Sequence, residues 1–293
     1  MSTSKLLVVF GATGNQGGSV VDQFLSQAGW QIRALTRDPS SAKAQALASR
    51  GAEVAHVDLD KPDTLPAALK GANAVFTQVI DAVAKVPTLE RFILSSLSNS
   101  AKWSNGKYTH VHHFDSKAKA AEYAQDTYPE LWKKTSIFQA GFFLTNYVGM
   151  MAPIKNGDGV VRFVGYLEQD VKVPLIAAEE DTGHFVRELI VTEAAGKNLI
   201  AYRAWLTVKE IAESFSRATG MKAEAVTLPK GHFPPEMPEE MRLELGDNFA
   251  CINEFGYEAR NDPTVIHPQQ LQSPPRLATV EEYFKNLDWS KVL

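Results

Sequence analysis

The 293-residue chain contains one cysteine, Cys251. A single thiol excludes an intrachain disulfide and any multi-cysteine zinc site, and the expected role of Cys251 is a small, partly buried hydrophobe. An excess of either charge is also missing: 30 Lys and Arg oppose 34 Asp and Glu, a formal net charge of −4. With no basic stripe and no recognisable reading helix, nothing predicts binding to nucleic acid or an anionic membrane. No apolar run approaches the roughly 20 residues of a membrane-spanning helix, and the amino-terminal MSTSKLLVVFGATG has no small-residue cleavage site. The expectation is a cytoplasmic protein, nuclear if it regulates. Repeats, heptads and low-complexity tracts are lacking too. What is present is 44% hydrophobic against 22% charged residues, enough core for one large α/β unit or two lobes.

Residues 5–10 (KLLVVF) form an apolar run ending at glycine, which predicts a strand buried on both faces. Residues 17–28 follow with Val20, Val21, Phe24 and Leu25 at helical spacing and Gly29 as a stop. Strands at 31–36, 52–57, 73–77, 91–95 and 135–139 alternate with helix-forming stretches. That alternation predicts an α/β fold, a Rossmann-type doubly wound parallel sheet, over residues 1–150. Past residue 150 the texture changes, predicting a smaller α/β lobe over 151–293, some of whose segments rejoin the first sheet. Residues 179–192 read as a capped helix. Thr207 with Glu210, and Thr279 with Glu282, have capping-box spacing, and the first of these helices ends at Gly220. Prolines 229, 234, 235 and 238 mark a surface excursion.

The segment from Gly11 to Gly17, GATGNQG, joins the first strand to the first helix. Glycines allow close backbone approach and positive φ, and the free N–H groups of a helix start attract a pyrophosphate. A dinucleotide is the favoured reading over a plain tight turn. Which dinucleotide depends on the end of the second strand. NAD sites place a carboxylate there for the ribose 2′-hydroxyl, whereas this chain has Thr36 and then Arg37. A guanidinium makes charge-assisted bonds to a 2′-phosphate, so NADP(H) is expected. Asp38 belongs to the turn that Pro39 continues.

Ser95 and Ser96 end the fifth predicted strand, where ligands of α/β sheets bind; either holds substrate or merely caps a turn. The aromatics of GFFLTNY, Phe142 and Phe143, line a flat-ring pocket or belong to the core. His110, His112 and His113 cluster in sequence, but no regular element turns all three to one side, so zinc is not expected. If residues 113–123 are helical, His113 and Lys117 share a face at the i, i+4 spacing. If instead Asp115 or Ser116 is the N-cap, His113 lies in the preceding loop.

With GATGNQGG, LTRDPSS, DLDKPDTL, LSSLSNSAKW, HFDSKAKAAEY and GFFLTNY in order, the chain resembles the NmrA-like family of atypical short-chain dehydrogenases/reductases. The likeness runs from residue 5 to PLIAAEEDTGHFVRELI and the late FGY. It implies a Rossmann domain holding NADP(H): Gly11, Thr13, Gly14, Asn15, Gln16 and Gly17 on pyrophosphate and Arg37 on the 2′-phosphate. Asp58 and Leu59 would flank adenine, Thr77 would lie beneath the cofactor, and Lys117 would reach the nicotinamide ribose. Phe143 to Asn146 would border the nicotinamide. The family's functions fall into two groups: reductases of a small-molecule substrate, here a carbonyl, quinone or imine-like compound, and NADP(H) sensors that regulate a protein partner. Two departures bear on that choice. Where the wider superfamily has Tyr four residues before the Lys, this chain has His113, so His113 or Ser96 would assist protonation beside Lys117. The connection from Gln78 to Glu90 is only thirteen residues, near the minimum for a parallel crossover, and omits the stretch that usually shields the cofactor.

Overall fold

The computed structural model describes residues 4–260 and 262–293. The first half runs β1 (Lys5–Val9), α1 (Asn15–Leu25), β2 (Trp30–Thr36), α2 (Ala42–Ser49), β3 (Glu53–His56), α3 (Leu65–Leu69), β4 (Ala74–Thr77), β5 (Arg91–Ser96), α4 (Ser100–Trp103), α5 (His112–Thr127), α6 (Pro129–Trp132) and β6 (Thr135–Ala140). The second half runs β7 (Phe142–Phe143), β8 (Ile154–Lys155), β9 (Val161–Gly165), β10 (Lys172–Ile176), α7 (Ala178–Arg187), β11 (Asn198–Ala201), β12 (Ala204–Thr207), α8 (Val208–Thr219), β13 (Ala223–Thr227), α9 (Glu239–Phe255), β14 (Val265–Ile266) and α10 (Val280–Lys285).

The main sheet has eight strands in the order β14-β11-β6-β5-β4-β1-β2-β3, and its strand pairs are parallel. This is the doubly wound arrangement, whose chain reversal between β1 and β4 opens a crevice at the strands' carboxyl ends. Residues of β1 show why its run is continuously apolar. Leu7 and Val9 pack beneath α1 and α7, whereas Val8 packs under α3 and α5, all three with no exposure. The Rossmann unit is not confined to the first 150 residues: β11 and β14 extend its sheet beyond β6. Helix α7 packs tightly on α1. A Cβ on Gly183 would stand 2.2 Å from the Ser19 carbonyl oxygen, and the Gly183 N–H donates to Ser19 Oγ at 2.9 Å.

The second lobe holds two three-stranded sheets, β12-β10-β7 and β13-β9-β8, around an aromatic core that includes Phe163, Phe215 and Phe284. Both anticipated capping boxes form, at Thr207 with Glu210 and at Thr279 with Glu282, and Gly220 ends α8 at φ +73°. The predicted helix over 179–192 divides: α7 ends at Arg187 and one π turn continues to Thr192. The crossover from Gln78 to Glu90 contains only a single 3-10 turn, Val83–Lys85, and no α-helix. No described helix is long and apolar enough to cross a membrane.

Candidate nucleotide cleft and active site

The cleft is built on the turn between β1 and α1. Gly11 adopts φ +60°, and its carbonyl accepts from the Gly14 N–H at 2.9 Å. Gly17 must be glycine, because a Cβ there would stand 2.3 Å from the Gly11 carbonyl oxygen. The N-cap of α1 is Gly14, which makes no side-chain capping bond. The N–H groups of Asn15, Gln16 and Gly17, the first of the helix, therefore have no acceptor within it and face the crevice. The neighbouring Ala12 N–H donates to the Leu35 carbonyl at 3.2 Å, tying the turn to the end of β2.

From that end projects Arg37, exposed and without an ion pair among the described residues. Asp38 is consumed locally: its carboxylate accepts from the Ser40 hydroxyl and N–H, which hold its pKa below the usual range. The strand end thus offers a free cation and no free carboxylate. Asp58 likewise accepts from the Asp60 N–H at 3.1 Å and faces Lys61 at 3.4 Å, while Leu59 beside it is 56% exposed.

A cavity of about 510 Å³ brings together Gly11, Gly14 to Gly17, Leu59, Thr77, Ser95, Lys117 and Phe143. Phe10, Phe76, Gln78 and Val79 complete its wall. Thr77 is buried, and its hydroxyl accepts from the Val79 N–H at 3.0 Å. Ser95 donates to Gln16 Oε1 at 3.1 Å, so the glycine turn and β5 are cross-linked at the floor. Lys117 is half-buried on α5, its ammonium makes no hydrogen bond or ion pair among the described residues, and burial holds its pKa below that of an ordinary lysine.

The remaining predicted residues lie off this wall. Helix α5 begins at His112 with Val111 as N-cap, so His113 and Lys117 do share one helix; neither Asp115 nor Ser116 caps it. Asp115 instead accepts from the Ala101 N–H at 3.2 Å. The His113 ring is turned away from the cavity, with Nδ1 2.6 Å from Glu244 Oε1 of α9. Ser96 is buried against α5 and donates to the Lys117 carbonyl at 3.0 Å, so of the two serines it is Ser95 that faces the cleft. Thr13 and Asn146 do not line the cavity; the Asn146 carbonyl accepts from the N–H groups of Gly149 and Met151. Phe142 packs on the buried Tyr147, 5.9 Å between ring centroids. Among the described residues no group of three or more His, Cys, Asp or Glu is arranged to hold a metal.

Sequence reasoning missed the part played by α9. Its Asp247 accepts from the Thr109 and His110 N–H groups and meets His110 Nδ1 at 2.8 Å, while Glu254 accepts from Tyr108 and pairs with Lys107. One acidic helix face thus clasps the segment that leads into the Lys117 helix. The i, i+3 spacing of Glu244 and Asp247 was visible, but their partners lie over 130 residues away.

Comparison with known proteins agrees with this architecture. The sequence profile of the NmrA-like family matches residues 3–284. The chain belongs to the NmrA-like family. It is 28% identical over 257 residues to the NmrA-like family domain-containing oxidoreductase hkm9 of Aspergillus hancockii, covering 76% of this chain and 75% of that one. It is 25% identical over 342 residues to the NmrA-like family domain-containing oxidoreductase ptmS of Penicillium ochrochloron, covering 96% and 97%. Among solved structures, NmrA, a negative transcriptional regulator, in complex with NADP superposes with a TM-score of 0.76 at 18% identity, covering 97% of this chain and 95% of that chain. An NADPH-dependent quinone oxidoreductase from Escherichia coli superposes at 0.70 and 19%, covering 95% and 98%. At such identities these structures establish the fold that this NmrA-like protein shares with them.

Proposed function

We propose that this NmrA-like protein binds NADP(H) in the cleft and uses it to reduce a small carbonyl, quinone or imine-like substrate. The observation that carries this reading is Lys117, a half-buried ammonium on the wall of a glycine-turn cleft with no carboxylate partner among the described residues. The residues fit the cofactor. The N–H groups of Asn15, Gln16 and Gly17 take pyrophosphate, and the Gly17 backbone lies where a side chain has no room. Arg37, free of ion pairs among the described residues, takes the 2′-phosphate, and Asp38 on that strand end is held by Ser40 and does not compete for a ribose 2′-hydroxyl. Leu59 and Thr77 border the nucleotide, and Phe143 offers a flat apolar wall. NADPH supplies a hydride when bound.

The chain's own contribution is positional and protonic. Lys117 donates a proton to the oxygen or nitrogen that gains charge during reduction, and its neutral amine is then recharged from solvent. Burial lowers the cost of giving that proton up. Ser96 holds the Lys117 backbone through its carbonyl, and His113, anchored to Glu244, steadies the same helix. Both act on the position of Lys117 and not on substrate. NmrA-like relatives described as oxidoreductases and a fold neighbour that is a quinone oxidoreductase support this reading.

A second reading, a non-catalytic NADP(H) sensor that regulates a protein partner, is favoured by one feature. The short crossover leaves Leu59 56% exposed and Gln78 exposed at the cleft's edge, and water there would compete with hydride transfer. Titration with NADPH, NADH and NADP⁺ on wild type and Arg37→Ala tests the binding. NADPH affinity falls about 10–100-fold in the variant, as expected for losing a charge-assisted contact, while NADH affinity holds. Equal losses for both would move the phosphate elsewhere. NADPH oxidation over a panel of quinones, aldehydes and cyclic imines separates the two readings: turnover with one of them supports the reductase. Tight binding with no turnover, together with partner affinity that differs between NADP⁺ and NADPH, supports the sensor.

A further inference from the structure

A cavity of about 700 Å³ lies beside the nucleotide cleft, on the sheet face that carries α3 and α5. It exists because the connection from β4 to β5 lays no helix over the sheet, only the 3-10 turn Val83–Lys85. Leu65 and Leu69 of α3 form one wall, Val79, Ile80 and Val86 of the crossover a second, and Tyr123 of α5 a third. Pro62, Pro66 and Pro87 stiffen the backbone around it. The lining is thus mainly apolar, but its rim is not.

Lys70 and Lys85 both line the cavity, and neither has an ion pair among the described residues. The Lys70 backbone is fixed, because its carbonyl accepts from Arg33 at 2.9 Å. The one acid of the lining, Asp81, already accepts from the Tyr123 hydroxyl at 2.9 Å. The surroundings therefore combine a mainly apolar body, two cations unpaired among the described residues and one occupied carboxylate. Val79 is common to both cavities: it lines this one and the nucleotide cleft. Its N–H is held by Thr77 Oγ1, so displacement of Val79 is transmitted to the residue at the cleft floor.

We propose that this cavity binds an amphipathic monoanion, an aliphatic or aromatic acid whose apolar body packs between α3 and α5 and whose head meets Lys70 and Lys85, and that its occupancy alters nucleotide binding through Val79. Volume and lining match those of small-molecule sites in general. A second negative charge on the ligand is opposed by Asp81. The coupling, though not the site itself, rests on reading the neighbouring cleft as the NADP(H) site.

Calorimetric titration of the 293-residue chain with decanoate, below its micellar range, and with 1-decanol tests the proposal. Decanoate binds saturably at one site, and Lys70→Gln/Lys85→Gln weakens it by about tenfold or more while leaving 1-decanol unchanged. These substitutions are at exposed positions and leave the fold in place. NADPH titrated with and without saturating decanoate shows a changed Kd, and the reverse titration shows the same factor. Absence of saturable decanoate binding, or equal affinity in wild type and double variant, overturns the site. An NADPH Kd indifferent to decanoate overturns the coupling. If NADPH itself does not bind, the two decanoate arms still decide the cavity, and it is the nucleotide reading that fails.

Discussion

Replacing Gly17 by alanine places one methyl group where the turn has no room. The added Cβ would stand 2.3 Å from the Gly11 carbonyl oxygen, 2.6 Å from its carbon and 2.8 Å from the Phe10 carbonyl oxygen. An ordinary carbon–oxygen approach is about 3.3 Å, so α1 or the turn must move by about 1 Å. The obstacle is backbone and cannot rotate away. Retreat of α1 is blocked on its far side, where Gly183 of α7 is already so close that a Cβ would meet the Ser19 carbonyl at 2.2 Å. The upper end of overpacking, about 3 kcal/mol, is therefore expected, lowering Tm by roughly 5 °C in a chain of this size. On the proposed reading of the cleft, the same displacement takes the N–H groups of Asn15 to Gly17 away from the pyrophosphate they would hold. Losing even one charge-assisted bond weakens NADPH about 10–100-fold. Scanning calorimetry and fluorescence titration read the two effects. Gly11→Ala is the control: Gly11 has φ +60° but nothing within 4 Å of its Cβ position, so only the left-handed strain of about 1 kcal/mol applies. A Gly17→Ala protein with the wild-type Tm and NADPH affinity would refute this account of the turn.

Three further outcomes are expected. Lys117→Met keeps NADPH affinity within about threefold but cuts turnover about 100-fold or more; the wild-type rate falls as pH rises through a lysine pKa that burial sets below the ordinary value, and a rate flat across that range removes Lys117 as the acid. Asp181→Ala leaves Arg203, whose side chain is 1% exposed, with Glu180 as its one remaining ion-pair partner among the described residues, and destabilises the protein by about 3–5 kcal/mol in urea. Burial pushes the Glu244 carboxyl up, but the hydrogen bonds from the His113 ring and N–H outweigh it and hold the pKa below the ordinary value. The stabilisation from Glu244 is then present above the unfolded carboxylate pKa and lost as pH falls through the folded one. Glu244→Gln accordingly lowers urea stability at neutral pH by less than about 1 kcal/mol, and the difference from wild type disappears in acid.

Local chemistry was readable where a residue's partners lie close in the chain. The two capping boxes needed only neighbours three residues apart, and the turn before α1 needed only the run of glycines. The parallel sheet followed from strands alternating with helix-forming stretches, and its central runs Leu7–Val9 and Ala74–Phe76 are apolar because both of their faces are covered. Helix α9 gave no such sign. Met241 and Leu243 are exposed while Phe249 and Ile252 are buried, so its apolar residues form no single stripe along its 17 residues. The short paired strands were equally hidden, because β7 and β8 of the second lobe and β14 at the edge of the main sheet are two residues each.

Legible in the sequence alone were a glycine turn opening a helix, a cation at the end of β2 in place of a carboxylate, and the alternation that closes a doubly wound sheet. These depend on backbone freedom, fixed charge and periodicity, all local properties. Tertiary packing was needed to show that Ser95 and not Ser96 faces the cleft, that His113 turns to Glu244, and that Lys117 has no partner for its ammonium among the described residues. It also decided that a crossover without a helix leaves an apolar cavity behind the nucleotide wall. Each of those outcomes is set by which distant segment packs against the residue, and packing partners are chosen by the fold as a whole.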